Sequence, residues 1–402
     1  MNISSDLSLD DRRIQILVQQ GYTPNLAKNV VLARSQENLP LTIWIVDNSS
    51  SMNTNDGRKL LPTDRPDDVR VKSCTRWEEL KETVIYHAQM AALLRAPTKF
   101  ILLNPCSEFA MQEPCPRELS IAERGSEWVE DDIEDFTENF SKVQPHGGTP
   151  LVDHLQRIFQ SLQHIEGKIV LVVATDGKPT DSFGYTSPQV DRDFENALRR
   201  VQSKAFVVIR LCTNDDNVLK YYQQLDEKEE FNLEVLDDYT DEAREVHSYN
   251  PWLSYSLSLH RCREMGMSCH GMFRFLDWLD ERSLSREEIV HALTVLGVAP
   301  EGSSENGVKS ALFYEDEEWR SFCTLVDQQQ RSSHEELQEK GVHFQGFYPW
   351  NPIHKRTTFL IDVLSLKRHG TRTALLFLAS GLWAILLVAI VAMLVTLLWG
   401  KC

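Results

Sequence analysis

The sequence predicts a doubly wound α/β fold on a mostly parallel sheet, followed by an α-helical C-terminal module and one transmembrane helix. Three observations predict it. Between residues 41 and about 240, continuous apolar runs alternate with amphipathic stretches. From 241 to 365 the runs stop and helical patterns remain, and from Thr373 to Trp399 the chain reads TALLFLASGLWAILLVAIVAMLVTLLW, without a charge. Runs apolar at every position suit parallel strands covered on both faces, whereas half-exposed strands alternate.

Composition bounds the function. A chain of 402 residues makes two or three folded units, and its 42% apolar and 25% charged content is that of a globular protein. A formal net charge of −17 argues against a nucleic-acid binder, which needs clustered Lys and Arg against phosphates. The cysteines at 74, 106, 115, 212, 262, 269, 323 and 402 have no framework spacing, and the start, MNISSDLSLDDRR, lacks the apolar core of a secretory signal. Free thiols in a reducing, cytosolic environment are expected.

Residues 1–39 read as a short helical prefix, with Ile14, Leu17, Tyr22, Leu26 and Val30 as core contacts around GYTP. The prefix resembles the first two helices of a ubiquitin-associated domain. Residues 40–240 hold the α/β domain. Its strands are LTIWIVD (41–47), KFILLN (99–104), KIVLVVATD (168–176), AFVVIRLC (205–212) and FNLEVLD (231–237), with RELSIAE (117–123) as an alternating edge strand. Helices fall at 76–94, 150–165 and 191–202, and the acidic EWVEDDIEDF (127–136) reads as a solvated helix face.

Residues 241–365 form the helical module, in which Ser285 and Glu288 make a capping box and APEGSSENG (299–307) a linker. His260, Cys262, Cys269 and His270 lack the paired C-x-x-C spacing of structural zinc and read as packing residues near a helix end at Gly266. Residues 373–399 exceed the roughly 20 apolar residues a bilayer requires. Lys367, Arg368, His369 and Arg372 precede them, which by the positive-inside rule leaves the N-terminal part in the cytosol. The expectation is a tail-anchored, single-pass membrane protein, in endoplasmic reticulum or secretory membranes rather than mitochondrial ones.

The stretch LTIWIVDNSSSMN (41–53) is a strand that ends in one carboxylate, an amide and three hydroxyls, more than a turn requires. In an open α/β sheet, ligands gather at the carboxyl ends of the strands. Two further segments arrive there. KIVLVVATDGKPTD ends a second buried strand at Asp176, and QPHGGTPLVDH puts Thr149 in a glycine-bearing loop that can approach a neighbour closely. Asp47, Ser49, Ser51, Thr149 and Asp176 are all hard oxygen donors, a set suited to Mg2+ or Mn2+ rather than zinc or copper.

D-x-S-x-S after the first strand, Thr in a G-G-T loop and Asp in a T-D-G turn resemble the metal-ion-dependent adhesion site of von Willebrand factor A-type domains, over about 200 residues. Lacking disulfides and a signal peptide, the chain is similar to the intracellular members of that group. The resemblance implies Ser49 and Ser51 as direct hydroxyl ligands, and Thr149 as a direct or water-mediated one. It implies that Asp47 and Asp176 hold waters or orient the hydroxyls. The cation would accept a carboxylate from an Asp or Glu of a protein partner, making a binding module and not an enzyme. Two alternatives stand beside it. The first is a ubiquitin-linked adaptor acting through the N-terminal helices. The second is a metal-dependent hydrolase with His146 as its base, although Ser49 stands where a haloacid-dehalogenase-like D-x-D would have its second carboxylate.

Overall fold

The computed structural model describes residues 8–34, 41–62, 69–105, 117–228, 233–300, 316–339 and 346–369. Its strands are β1 (Leu41–Val46), β2 (Gly57–Pro62), β3 (Val69–Cys74), β4 (Thr98–Leu102), β5 (Glu118–Ile121), β6 (Ile169–Thr175), β7 (Ala205–Leu211), β8 (Leu233–Leu236) and a short antiparallel pair, β9 (Trp350–Asn351) and β10 (Arg356–Thr357). The helices are α1 (Leu9–Gln19), α2 (Pro24–Ala33), α3 (Arg76–Leu94), α4 (Val129–Ser141), α5 (Leu151–Ser161), α6 (Pro188–Gln202), α7 (Asp216–Asp226), α8 (Tyr239–Tyr249), α9 (Leu257–Glu264), α10 (Arg286–Leu296) and α11 (Asp316–Glu339).

Six strands form one sheet in the order β5–β4–β1–β6–β7–β8, parallel throughout except for β5, which runs antiparallel along β4 at the edge. The order reverses at β1, which has β4 on one side and β6 on the other. That reversal opens a crevice beyond the carboxyl ends of β1 and β6, the place where such sheets bind ligands.

Alternation inside the apolar runs decides which helix covers which face. Trp44 and Val46 of β1 and Val170, Val172 and Ala174 of β6 pack with Trp77, Leu80 and Val84 of α3 and Phe136 and Phe140 of α4. Ile43 and Ile45, with Leu171 and Val173, turn to the other face. There they meet Leu155 and Ile158 of α5, Phe194 and Leu198 of α6, and Tyr222 and Leu225 of α7. Both faces are thus dry, which is why the central strands read as unbroken Val, Ile and Leu. β2 and β3 form a separate antiparallel hairpin between β1 and α3. Its charged Arg58, Lys59, Arg70 and Lys72 masked it in the sequence.

The flanking helices build a third apolar cluster. Leu17, Tyr22, Leu26 and Val30 of the N-terminal pair pack with Trp252, Leu259, Ile289, Leu293 and Trp319, and with Met90 and Leu94 at the end of α3. Thr23 Oγ1 donates to Leu296 O (2.7 Å), Asn25 Nδ2 to Thr294 O (2.7 Å) and Asn29 Nδ2 to Val295 O (3.1 Å). These side chains satisfy carbonyls that the last turn of α10 leaves open. Buried charges tie the same helices to the sheet. Arg263 of α9 reaches Glu234 of β8 (2.5 Å), Glu242 of α8 and Asp280 (2.9 Å).

The expected fold class is corrected where it included a membrane helix. Among the described residues no helix is long and apolar enough to cross a membrane. Of the long described helices, α3 carries five charged residues in its first seven positions, and α11 reads DEEWRSFCTLVDQQQRSSHEELQE. Residues 373–399, to which the transmembrane tail anchor was assigned, lie outside the described residues. The architecture is therefore a mixed α/β one with a six-stranded, mostly parallel sheet. The single-pass membrane localisation does not stand with it.

Candidate metal centre

The loop after β1 is aimed by its first residue. Asp47 continues the ladder, its N–H donating to Ala174 O at 2.9 Å. Its carboxylate is then held on both oxygens: Oδ1 accepts the Ser49 N–H at 2.8 Å, and Oδ2 accepts the Thr175 hydroxyl at 2.6 Å. The first bond is an Asx turn, which curls the chain back over the strand end. One 3-10 turn follows (Ser50–Asn53), pinned by the fully buried Met52, so that Ser49 and Ser51 fall on the same side.

A ladder of hydrogen bonds connects the two strand ends. Ser49 Oγ and Ser51 Oγ are 2.9 Å apart, and Ser51 Oγ donates to Asp176 Oδ1 at 2.8 Å. Asp47, Ser49, Ser51 and Asp176 thus form one continuous run across the crevice. Asp47 and Asp176 are almost wholly buried. Burial first, and the neighbouring Asp176 carboxylate second, raise the Asp47 carboxyl to about 6, against hydrogen bonds from Thr175 and Ser49 that favour its charge.

Thr149 reaches the same place from the glycine loop. Its backbone N–H donates to Thr180 Oγ1 (3.0 Å) and its carbonyl accepts from Thr180 N (2.9 Å), which staples the G-G-T loop to the segment that follows the T-D-G turn. A Cβ on Gly177 would lie 3.6 Å from Thr149 Oγ1, so the hydroxyl sits beside the residue that follows Asp176. Gly147 has φ +76°, and a Cβ there would meet Asn104 Oδ1 at 2.4 Å. Only glycine fits. The structure brings all five sequence-predicted residues to one crevice.

Sequence reasoning missed the residues that hold these five in place. Asn48 and Asn104 exchange two bonds, Asn104 N to Asn48 Oδ1 (2.8 Å) and Asn48 Nδ2 to Asn104 O (2.9 Å), and Asn104 Nδ2 donates to Gly148 O (2.8 Å). They join the ends of β1 and β4 to the glycine loop. Asn104 closes an apolar strand run and Asn48 stands one residue beyond another, and that shared ending was the available signal. Arg76, at the first position of α3, donates from Nη1 to Asp176 Oδ2 at 2.9 Å, and grips Asp56 through Nε and Nη2 at 2.7 Å each. Nothing in the local sequence announced it.

The other candidates lie elsewhere. His146 points one ring nitrogen at Pro105 O (2.5 Å) and the other at Gln144 O (3.0 Å). Tyr22, Leu26 and Val30 of the prefix are buried in the third cluster. His260 faces Glu264 at 3.4 Å in the interior, and Cys262 is buried beside it in sequence. Among the described residues, Glu242, Glu245 and Asp280 bring three carboxylates together, but Arg263 pairs with two of them.

The two buried carboxylates and three hydroxyls fit a small hard cation. Their mutual repulsion would be relieved by one, and the set contains no sulfur or nitrogen donor. Ser49, Ser51 and Thr149 would hold it, with Asp47 and Asp176 orienting hydroxyls and waters; bound there, it would act as an acceptor site for an external oxygen anion.

No family model matches the chain, and no curated protein matches it. Among solved structures, the PilB minor pilin from Streptococcus sanguinis is similar at 15% identity and a TM-score of 0.31, over 49% of this chain and 56% of that one. A point mutant of the same pilin is similar at 14% identity and a TM-score of 0.33, over 50% and 56%. This chain thus spans about half the length of the pilin chains it matches, and a likeness at these scores says nothing about how it works.

Proposed function

We propose that this chain is a protein-binding module that recognises a partner's Asp or Glu through Mg2+ or Mn2+ held by Asp47, Ser49, Ser51, Thr149 and Asp176. The observation that carries the reading is the run of hydrogen bonds from Asp47 through Ser49 and Ser51 to Asp176, at the point where the strand order reverses. Its pattern resembles the adhesion site of A-type domains. The chemistry is direct. Neutral hydroxyls leave more of a divalent charge uncompensated than carboxylates would, and Mg2+ keeps exchangeable waters, so an external carboxylate can enter. Binding is favoured over catalysis because His146, the candidate base, turns both ring nitrogens to backbone carbonyls.

The test is a calorimetric titration of the purified chain with Mg2+ and Mn2+, for wild type, Asp47→Ala and Thr149→Ala. Loss of an orienting carboxylate should weaken the cation by about 10–100-fold. Partner capture should vanish with EDTA and return with Mg2+. Equal cation binding by all three proteins, or capture that ignores chelation, would refute the reading.

A further inference from the structure

The candidate metal centre has a built-in competitor. Arg76 is 11% exposed and forks side-on onto Asp56, while its remaining nitrogen, Nη1, takes the Oδ2 of Asp176, whose side chain is fully buried. Asp56 itself is 34% exposed and stands on the short loop that leaves the serines. The loop is pressed against the start of α3: Arg76 N donates to Thr54 O at 3.0 Å, and a Cβ on Gly57 would meet Thr75 O at 2.7 Å. The guanidinium therefore cannot drift away from the site. It holds a permanent positive charge against one of the carboxylates that a cation would need.

We infer that Arg76 is the residue that sets how tightly this site holds its divalent cation, by competing for Asp176, and that Asp56 restrains that competition. The inference rests on the metal reading above. Asp47, Asp56 and Asp176 supply three negative charges and Arg76 returns one positive. A divalent cation then brings the group to neutrality instead of leaving it negative. Arg76 thus weakens the cation twice over, by repulsion and by occupying Asp176 Oδ2. The same charge spares an incoming carboxylate the repulsion that an anionic site would impose. Asp56 draws the guanidinium the other way through two bonds. Without it, the full charge would fall on Asp176.

The two residues therefore have opposite signatures, which a purely structural role would not produce. In calorimetric Mg2+ titrations and Mn2+ titrations followed by electron paramagnetic resonance, Arg76→Gln should bind about tenfold more tightly than wild type, because a like charge beside the cation is removed. Asp56→Asn should bind about tenfold more weakly. Arg76→Lys, which keeps the charge, should stay near wild type. Circular dichroism and melting establish that each variant is folded. If folded Arg76→Gln binds the cation no more tightly, or Asp56→Asn no more weakly, the competition does not exist. If Arg76→Gln does not fold, Asp56→Asn and Arg76→Lys decide the question by the same criteria. Failure of the metal reading itself would look different: wild type would bind neither cation.

Discussion

Ser51 donates its hydroxyl to Asp176 across 2.8 Å, although 125 positions separate the two residues. A serine has a single hydroxyl proton, so with that proton committed to Asp176 the 2.9 Å bond between the serines runs from Ser49 to Ser51. Both hydroxyls are thereby lined up along the crevice with oxygen lone pairs still free. Ser51 is exposed, and its removal opens no cavity. Ser51→Ala should cost about 1 kcal/mol or less in stability while weakening Mg2+ by about 10–100-fold. Melting curves and calorimetric titration on the same preparation separate the two effects. An equal loss of both would mean that the hydroxyl only supports the turn.

The acidic pair makes stability depend on pH in an unusual direction. Asp47 is raised from its ordinary 3.8 to about 6, first by burial and then by Asp176. A carboxyl raised by folding stabilises the fold when protonated. That contribution is fully present below pH 3.8 and is lost as pH rises through about 6. Without divalent cations, Asp47→Asn should therefore be more stable than wild type at pH 7, by about 2–3 kcal/mol, and the gap should close by pH 4. Denaturant melts in EDTA across that range provide the check. Mg2+ must displace the Asp47 proton, so its stabilisation of wild type should shrink below pH 6 and be much smaller in Asp47→Asn at the same Mg2+ concentration. A pH-independent gap would assign the effect to something other than Asp47 ionisation.

How much of this was legible in the sequence follows from where each signal is written. The central strands were readable because both faces of β1, β6 and β7 are covered, and that demands apolar residues at every position. The five donors were readable because each follows a strand run or a glycine pair at the carboxyl edge. Arg76 and Asp56 were not, since an arginine at the head of α3 and an aspartate in a turn look ordinary until the sheet sets Asp176 beside them. The hairpin of β2 and β3 was hidden by its lysines and arginines. The transmembrane reading came from composition over residues 373–399, which lie outside the described residues, and no described helix has that character.

Two glycines separate backbone strain from site geometry. Gly147 (φ +76°) leaves no room for a Cβ, which would press on Asn104 Oδ1, whereas Gly184 (φ +84°) has nothing within 4 Å of that position. Gly184→Ala should cost only the unfavourable φ, about 1 kcal/mol. Gly147→Ala should cost about 1–3 kcal/mol and also displace Asn104, which holds Gly148 O and so aims Thr149. Cation affinity should fall in Gly147→Ala and stay unchanged in Gly184→Ala. Equal titrations would detach the glycine loop from the metal centre.

The last expectation concerns Glu264, on which the helical layer and the sheet converge. It is fully buried and accepts from Arg261 Nη1 at 2.7 Å, with His87 Nε2 at 2.9 Å and Arg210 Nε and His260 Nε2 each at 3.4 Å. Burial opposes its charge, yet Arg261, His260 and His87 hold the carboxyl well below its ordinary range. His87 is lowered to about 4, chiefly by burial, so the arginines carry the pairing at neutral pH. Glu264→Gln leaves those buried guanidiniums short of a counter-charge and should destabilise the chain by about 3–5 kcal/mol. Because the carboxyl is depressed, the stability it contributes is present at neutral pH and is lost as pH falls below the ordinary carboxylate range. Wild type and Glu264→Gln should therefore converge in acid, the reverse of the trend at Asp47. A fragment ending at residue 245 removes Glu264 together with Trp252, Leu259 and Ile289, and strips the cover from Tyr22, Met90 and Leu94. It should lose cooperative melting. If it melts at the temperature of a 1–365 chain, the buried hub contributes nothing to the sheet.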